Sequence, residues 1–536
     1  MTARVVGVFP PRARALRRRL FDALELAFPI RFEGRDQGDF GGLDAAVFVD
    51  APAPTQRPPC PSLWFERGDV ERPQNGKVRL SSDTLLDGRL RGRVLTDGEA
   101  DAAPVLRPSF PARVLAATAN GPVWVTSQDA GPPRRYLAAF APAELEVDEP
   151  LRARFRSGSF IGLLPLVHLL REINTEWSWS DPPPRACFII DDPNLHSLTY
   201  GHVDFRRLVA HAARGGYHVA IASTPIDYGF VHPAARALFA AHTGQISLAI
   251  HGNNHERHEL SGVRSEAEAL AIAAQAIRRS ERLERQSGLR VPRVMCAPHE
   301  ECGRLMQTAL FRLGFDALCK EPSWRVSHDA DNPEAVLTGW EPAQTLAGLP
   351  VLPRYRLLGD EEDLVFRSYL NLPILLYFHH WDLAGGPEVL DAAADLVNRV
   401  RPHDWMSLAD LCRSNVVSRR TGETLVVRPY ARRVSVRVDA DVRRIVVEAA
   451  PSEPPVEVRV SCGSLSTLGP SGRSLSLSGP LASRAEIEMV SAEALSGEAF
   501  PPPPPRMWPA VRRAMTESRD RLGPLSDRLW GRPASR

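Results

Sequence analysis

Between residues 185 and 415, short apolar segments alternate with longer amphipathic segments. The apolar segments have the length of strands. The amphipathic ones carry helix signals, since Ser265 and Glu268 form a capping-box pattern and Gly288 follows the last turn of the same segment. Repeated strand-then-helix units are typical of a parallel sheet. We therefore predict an α/β fold here, closed into a distorted (β/α) barrel.

Polar residues stand at the ends of four of these predicted strands. The four clusters are Asp191-Asp192, His251 with His255, His299-Glu300, and His379-His380-Trp381-Asp382. In a barrel of parallel strands, the carboxyl ends all open on one face, where catalytic groups converge. The clusters are therefore expected to meet around one site.

The first two clusters have the composition of a metal site. Two carboxylates at the end of a buried strand need a cationic partner, and two histidines four residues apart can present both imidazoles to one ion. Two histidines and one carboxylate leave positions open for water and substrate, as a catalytic zinc site requires. The ion would lower the pKa of its water toward about 7, and a second carboxylate could take the proton. These parts indicate metal-assisted hydrolysis of an amide or ester, whereas the alternative for the two aspartates is a helix cap and a loop acid.

The same residues resemble the polysaccharide deacetylases of the NodB-homology, carbohydrate esterase 4-like family, over the central region only. The resemblance implies that Asp191 is the catalytic base. It implies that Asp192, His251 and His255 hold one divalent metal ion, expected to be Zn²⁺. One branch of the family carries Tyr-x-His-Pro-Trp-Glu in its last motif, and this selects His379 as the acid that protonates the leaving amine.

The third family motif departs from its usual pattern. The family places an arginine two residues before a proline, where it steadies the base, and this chain has Cys296 at that position. His299, Arg293 or another arginine could take over the role. The residues expected near a substrate are His299, His380, Trp381 and Asp382, and helix capping explains Asp382 equally well.

The regions on either side of residues 185–415 show different sequence patterns. Residues 1–180 predict an α/β domain with a faint likeness to glutamine-amidotransferase-like folds, without a nucleophilic cysteine in an elbow. Residues 416–498 show short alternating strands of a small β-sandwich, which either binds carbohydrate or packs on the centre. Residues 499–536 form a proline-rich linker and a basic tail. In that tail, 507–522 could form an amphipathic helix that docks on a partner or anionic surface, or could be a frayed terminus.

Composition narrows the classes of partner. The 536 residues have a formal net charge of +2, so no strong positive electrostatic field indicates nucleic acid as a partner. No apolar run approaches the roughly 20 residues of a membrane span. The seven cysteines are scattered, which fits reduced thiols and a cytoplasmic location.

The function implied by the resemblance is removal of acetyl groups from an N-acetylated sugar in a polysaccharide or its precursor. Because Cys296 replaces the expected arginine, the alternative is a non-catalytic glycan-binding or polysaccharide-assembly protein that kept the pocket. A glycosidase would need two carboxylates facing each other across a sugar at about 5–10 Å, whereas Asp191 and Asp192 are neighbours.

Overall fold

The computed structural model describes most of the chain, with short gaps. The described residues are 3–51, 57–66, 76–98, 105–128, 133–147, 149–156, 158–175, 179–322, 339–357, 361–450, 452, 456–491, 494–501, 503 and 507–530, without the side chains of 524–530. Residues 176–178 lie outside them, as do Pro502, Pro504 and Pro505 of the predicted proline-rich linker. The chain divides into two compact units: residues 1–178, 323–341 and 360–372 in the first, and the remainder in the second.

The first unit is built on a nine-stranded sheet in the order β2-β1-β3-β4-β9-β8-β7-β5-β6. The pairings from β2 to β9 are parallel, and those from β9 to β6 are antiparallel. Its elements are β1 (Arg4–Phe9), α1 (Pro11–Leu16), α2 (Arg18–Ala27), β2 (Ile30–Gly34), β3 (Ala45–Val49), β4 (Ser62–Phe65), β5 (Gly76–Leu80), β6 (Val94–Asp97), β7 (Ala112–Thr118), β8 (Gly121–Ser127), β9 (Arg135–Ala138) and α3 (Leu164–Ile173).

The first helical segment of the first unit is interrupted at Arg17. This residue leaves the helical conformation with φ −125° and ψ 40°, so α1 and α2 are separate helices. The guanidinium of Arg17 donates to the carbonyl of Pro142 at 2.7 Å and to Asp50 at 3.1 Å. These two bonds hold Arg17 at the break. The likeness to glutamine-amidotransferase folds stays a prediction.

The second unit contains a ten-stranded sheet whose main path runs β18-β16-β15-β14-β13-β10-β20-β19. Every pairing on this path is parallel. Its elements are β10 (Arg185–Asp191), β11 (Thr199–Tyr200), β12 (Val203–Asp204), α4 (Phe205–Gly215), β13 (Val219–Ser223), α5 (Pro233–Ala241), β14 (Ile246–His251), α6 (Glu266–Ser287), β15 (Val294–Cys296), α7 (Arg304–Arg312), β16 (Ala317–Lys320), β17 (Gln344–Leu346), β18 (Leu349–Pro353), β19 (Tyr355–Arg356), β20 (Ile374–His379), α9 (Glu388–Val400), β21 (Asp404–Trp405) and α10 (Leu408–Arg413). Helix α8 (Glu361–Tyr369) lies between β19 and β20 in sequence and belongs to the first unit.

The predicted parallel α/β arrangement is confirmed by these pairings. The central strand β10 is buried along its whole length, as expected of a parallel strand covered on both faces. The capping signals also hold, since the Ser265 hydroxyl accepts from the N–H of Glu268 and Gly288 ends α6 at φ 73°. The two ends of the path, β18 and β19, are separated in sequence only by Arg354. Closure into a barrel stays a prediction.

Two four-stranded sheets follow the parallel sheet in sequence. Their orders are β22-β23-β25-β28 and β24-β29-β26-β27. Buried side chains from both sheets, such as Val427 and Ile445 in one and Val458 and Ile487 in the other, form one core, which is the arrangement expected of a small β-sandwich. The strands are β22 (Val416–Thr421), β23 (Thr424–Pro429), β24 (Arg433–Arg437), β25 (Arg444–Glu448), β26 (Val456–Cys462), β27 (Leu465–Pro470), β28 (Ser474–Ser478) and β29 (Arg484–Ser491).

The tail forms the helix α11 (Met507–Trp530) rather than a frayed terminus. Its buried polar residues, among them Arg513 and Asp520, contact loops of the second unit. The expected docking of this tail on an outside partner is not supported. Among the described residues, no helix is both long and apolar enough to cross a membrane.

Candidate metal centre

Strand register brings the polar clusters to one edge of the parallel sheet. Asp191 lies opposite His379 where β10 pairs with β20, and His251 lies opposite Cys296 where β14 pairs with β15. Strand β13 joins β10 to β14, so the same edge is continuous. The carboxyl ends of parallel strands therefore gather these side chains, although they are far apart in sequence.

Asp192, His251 and His255 form a compact group at this edge. One ligand atom from each lies within 4.8 Å of the others. The Oδ1 atom of Asp192 is 3.3 Å from Nε2 of His255 and 4.0 Å from Nε2 of His251. These separations suit three ligands of one small cation.

His251 is prepared to act as a ligand through Nε2. Its other ring nitrogen, Nδ1, donates to the carbonyl oxygen of Cys296 at 3.0 Å, which fixes the tautomer. A ligating histidine characteristically donates its second N–H in this way. Burial lowers the pKa of His251 to about 4, so the imidazole is neutral at pH 7, which is the form that binds metal.

Asp192 supplies the strongest sign that a cation fits. Its Oδ1 atom is buried and has no hydrogen-bond partner among the described residues. Burial acts to raise the pKa of Asp192, but His255, His251 and the Arg513 guanidinium outweigh it, and the pKa lies below its usual range. Together, this buried, ionised oxygen and the two imidazole nitrogens that it faces form a set of ligand atoms that a divalent ion such as Zn²⁺ prefers.

A carboxylate holds the loop that carries His255. Glu259 accepts from the backbone N–H groups of Asn253, Asn254 and His255 at 2.9, 2.7 and 3.1 Å. Burial raises its pKa. Glu259 is therefore part of the structure of this loop. His255 has φ 57°, in the left-handed region, and this clamp stabilises that conformation.

Replacing Glu259 by glutamine should disturb the His255 loop. The new amide keeps one oxygen and replaces the other by an NH2 group, so at least one of the three N–H donors loses its acceptor. This costs about 1–3 kcal/mol of folding free energy, and we expect metal affinity to fall by about tenfold or more. Urea unfolding and zinc titration against a competing chelator measure the two effects. Glu256→Gln is the matched control, because its carboxylate makes only a 3.5 Å contact with Asn254. Equal zinc affinity in both variants would contradict the role of Glu259.

Asp191 is held by Arg354, an arginine that the sequence interpretation allowed for without identifying it. Nη1 of Arg354 donates to Oδ1 of Asp191 at 2.8 Å, and both side chains are almost completely buried. Burial acts to raise the pKa of Asp191, but the charge and the hydrogen bond of Arg354 lower it overall. Arg354 therefore keeps Asp191 ionised and oriented.

Arg354 places beside Asp191 the cation that was expected from an arginine at the Cys296 position. Its guanidinium also donates to Glu300, with Nε at 3.1 Å, and to the carbonyl of Ala297 at 3.1 Å. Cys296 is a buried core thiol, and the structure gives neither Arg293 nor His299 a hydrogen bond to Asp191. The available sequence signal was an arginine directly after the apolar segment 349–353.

The remaining candidates divide between the site and its surroundings. His299 has its ring 5.1 Å from that of His255, beside the triad. Trp381 is 43% exposed and stacks on His379, with centroids 4.3 Å apart. His380 is buried and contacts Tyr200 and Asp520, as a packed residue does.

Asp382 acts as a helix cap. Its carboxylate accepts from the backbone N–H of His379 at 2.8 Å in a capping-box arrangement. This bond fixes the backbone where His379 leaves β20. One contact thus caps the helix and fixes the backbone of His379.

Comparison with known proteins gives structural likeness. No family model and no curated protein matches the chain. One similar solved structure is a Mycobacterium smegmatis protein with a provisional polysaccharide deacetylase name: 17% identity, 44% of this chain, 91% of that chain, TM-score 0.30. Another is a family 4 carbohydrate esterase from Streptomyces lividans in complex with acetate, with 11% sequence identity, 41% of this chain and 88% of that chain covered, and a TM-score of 0.24. A third is a family 4 acetyl xylan esterase from Clostridium thermocellum in complex with cobalt, with 11% sequence identity, 42% of this chain and 89% of that chain covered, and a TM-score of 0.26. The chain is thus similar to solved structures named for the family that its sequence resembles.

Proposed function

We propose that this protein is a metal-dependent hydrolase that removes acetyl groups from an N-acetylated sugar in a polysaccharide or its precursor. The observation that carries the proposal is the group Asp192, His251 and His255, with Asp191 and His379 opposite each other on neighbouring strands beside it. His299 lies beside the group, with its ring 5.1 Å from that of His255, and Trp381 stacks on His379. The proposal includes a closed barrel for residues 185–415 and the domain limits 1–180, 416–498 and 499–536 given by the sequence.

Asp192, His251 and His255 would hold the ion, most suitably Zn²⁺. When bound, the ion would lower the pKa of a water molecule toward about 7 and polarise the acetyl carbonyl. Asp191 is ionised and cannot rotate freely, because Arg354 holds one of its oxygens. It is therefore suited to take the proton of the attacking water.

His379 would deliver a proton to the departing amine nitrogen. It lies opposite Asp191, and its backbone is fixed by Asp382. The stacked Trp381 ring restrains the imidazole on one face. Because Trp381 is 43% exposed, the same ring offers an apolar surface for a sugar beside the acid.

The alternative function is glycan binding without catalysis. It was motivated by Cys296 at the arginine position. Arg354 supplies that cation from another strand end, so the motive for the alternative is removed. A non-catalytic protein also has no need of an ionised, buried Asp191 beside a metal group.

Metal analysis together with acetate release tests the proposal. We expect about one divalent ion per chain and release of acetate from N-acetylated oligosaccharides. A chelator should abolish the release, and added Zn²⁺ should restore it. Stoichiometric metal without acetate from any tested glycan would favour the binding protein, and absence of metal from protein refolded with Zn²⁺ would overturn the metal centre itself.

A further inference from the structure

The C-terminal helix α11 contacts the candidate ligand Asp192 through one side chain. Arg513 has only 6% of its side chain exposed. Its Nη2 atom donates to the backbone carbonyl of Asp192 at 2.6 Å, and its Nε atom donates to Oδ2 of Asp227 at 2.7 Å. Nη1 lies 3.6 Å from Oδ1 of Asp192. A residue about 320 positions away thus reaches the backbone and side chain of a candidate ligand.

The backbone of Asp192 needs such support. Its φ is 83°, in the left-handed region that non-glycine residues seldom adopt. A conformation of this kind is strained and persists only where the surroundings enforce it. The N–H of Asp192 donates to the carbonyl of Ala222 at 3.0 Å, and its carbonyl accepts from Arg513. The sheet holds one side of the residue, and α11 holds the other.

Asp227 balances the positive charge of Arg513 beside the candidate metal site. Asp227 is also buried and forms an ion pair with Arg513 through Oδ2. The pair is neutral as a whole, so it can fix Asp192 without placing an unbalanced positive charge beside a bound cation. This is the arrangement expected of a group that orients a ligand.

Other contacts dock the helix without touching Asp192. Glu517 lies 3.1 Å from Nδ1 of His196, and the Tyr200 hydroxyl donates to Asp520 at 2.8 Å. Arg521 donates to the side chain of Asn194 at 3.1 Å and to the carbonyl of Thr199 at 2.8 Å. Docking of α11 and orientation of Asp192 therefore depend on different side chains, and variants can separate them.

We propose that Arg513 is a positioning residue for the metal ligand Asp192, so that α11 is a built-in part of the metal centre. This inference rests on the proposed function, since it takes Asp192 to be a ligand. Arg513 acts through Asp192 and is not itself expected to contact the substrate. Removing its fork of donors would let the Asp192 peptide relax from φ 83° and would move the carboxylate relative to the two imidazoles.

The test compares Arg513→Gln with Arg521→Gln in the full chain. Outer contacts of metal ligands typically contribute 10–100-fold to affinity, so we expect Arg513→Gln to raise the Kd for Zn²⁺ at least about tenfold. Its Co²⁺ form should also show a changed visible absorption spectrum, which reports ligand geometry. Arg521→Gln removes a docking contact only, and its Co²⁺ spectrum should match that of the unaltered protein.

The outcomes separate this inference from the proposed function. If the unaltered chain binds Zn²⁺ and Arg513→Gln leaves both the Kd and the spectrum unchanged, Arg513 does not position Asp192. Equal changes in both variants would assign the effect to helix docking and would also overturn the inference. If the unaltered chain binds no metal, the proposed function fails first. Should Arg513→Gln fold poorly because Asp227 is left unpaired, the double variant Arg513→Gln/Asp227→Asn removes that buried charge and gives the same comparison.

Discussion

Replacing Asp191 by asparagine should leave the metal bound and lower turnover by about 10²–10⁴-fold, the usual contribution of a positioned general base. The asparagine oxygen can still accept from Nη1 of Arg354, which the aspartate does at 2.8 Å, so the packing is retained. An amide cannot take a proton from water at neutral pH. Metal content by mass spectrometry and the initial rate of acetate release measure the two properties separately.

His251→Ala is the control variant for this experiment. It removes a buried imidazole of the triad, and we expect the bound metal to be lost together with turnover. The two variants thus predict opposite metal contents with equally low activity. Retained turnover in Asp191→Asn would exclude Asp191 as the base. Loss of metal from that variant would instead make Asp191 a ligand.

The strand ends were predictable from sequence because they are local patterns. An apolar run followed by Asp191-Asp192, and another followed by His251, indicate buried strands that end in polar residues. Because parallel strands end at the same edge of a sheet, these patterns alone predict that the polar residues lie close together. The same reasoning placed β20 and its His379 at the correct edge.

The supporting contacts were not predictable, because they depend on tertiary pairing between distant segments. Glu259 reads as one more charge in a polar stretch, and only the fold of the loop turns its carboxylate onto three N–H groups. Arg354 and Arg513 come from segments with no spacing relation to Asp191 or Asp192. The chain has many arginines interleaved with acids, so the sequence alone did not distinguish the two that are buried at the site from those on the surface.

The position of Arg354 also connects the site to the sheet. It separates β18, which pairs with β16, from β19, which pairs with β20. Its own N–H donates to the carbonyl of Lys320 at 2.9 Å. The guanidinium lies over the ring of Tyr377, 4.4 Å from its centroid. The cation that orients the base is thus anchored between β18 and β19, two strands of the parallel sheet.

Arg354→Gln should therefore be the most destabilising single change in the site. It leaves two carboxylates, Asp191 and Glu300, without their shared cation. Breaking a buried ion pair by removing one partner costs about 3–5 kcal/mol. Urea unfolding monitored by tryptophan fluorescence measures this cost, and acetate release should fall with it, because Asp191 loses its orientation.

A second change distinguishes lost charge balance from lost packing. In the double variant Arg354→Gln/Glu300→Gln, one of the two uncompensated carboxylates is neutral, so part of the lost stability should return while turnover stays low. Arg354→Lys keeps the charge but cannot donate to Asp191 and Glu300 in the same fork, so it should fold better than Arg354→Gln and still turn over slowly. An Arg354→Gln protein within about 0.5 kcal/mol of the unaltered chain, the range of an ordinary surface substitution, would show that the two carboxylates do not depend on this arginine. The stability ranking of the three variants thus tests whether one buried cation both balances the site and orients its base.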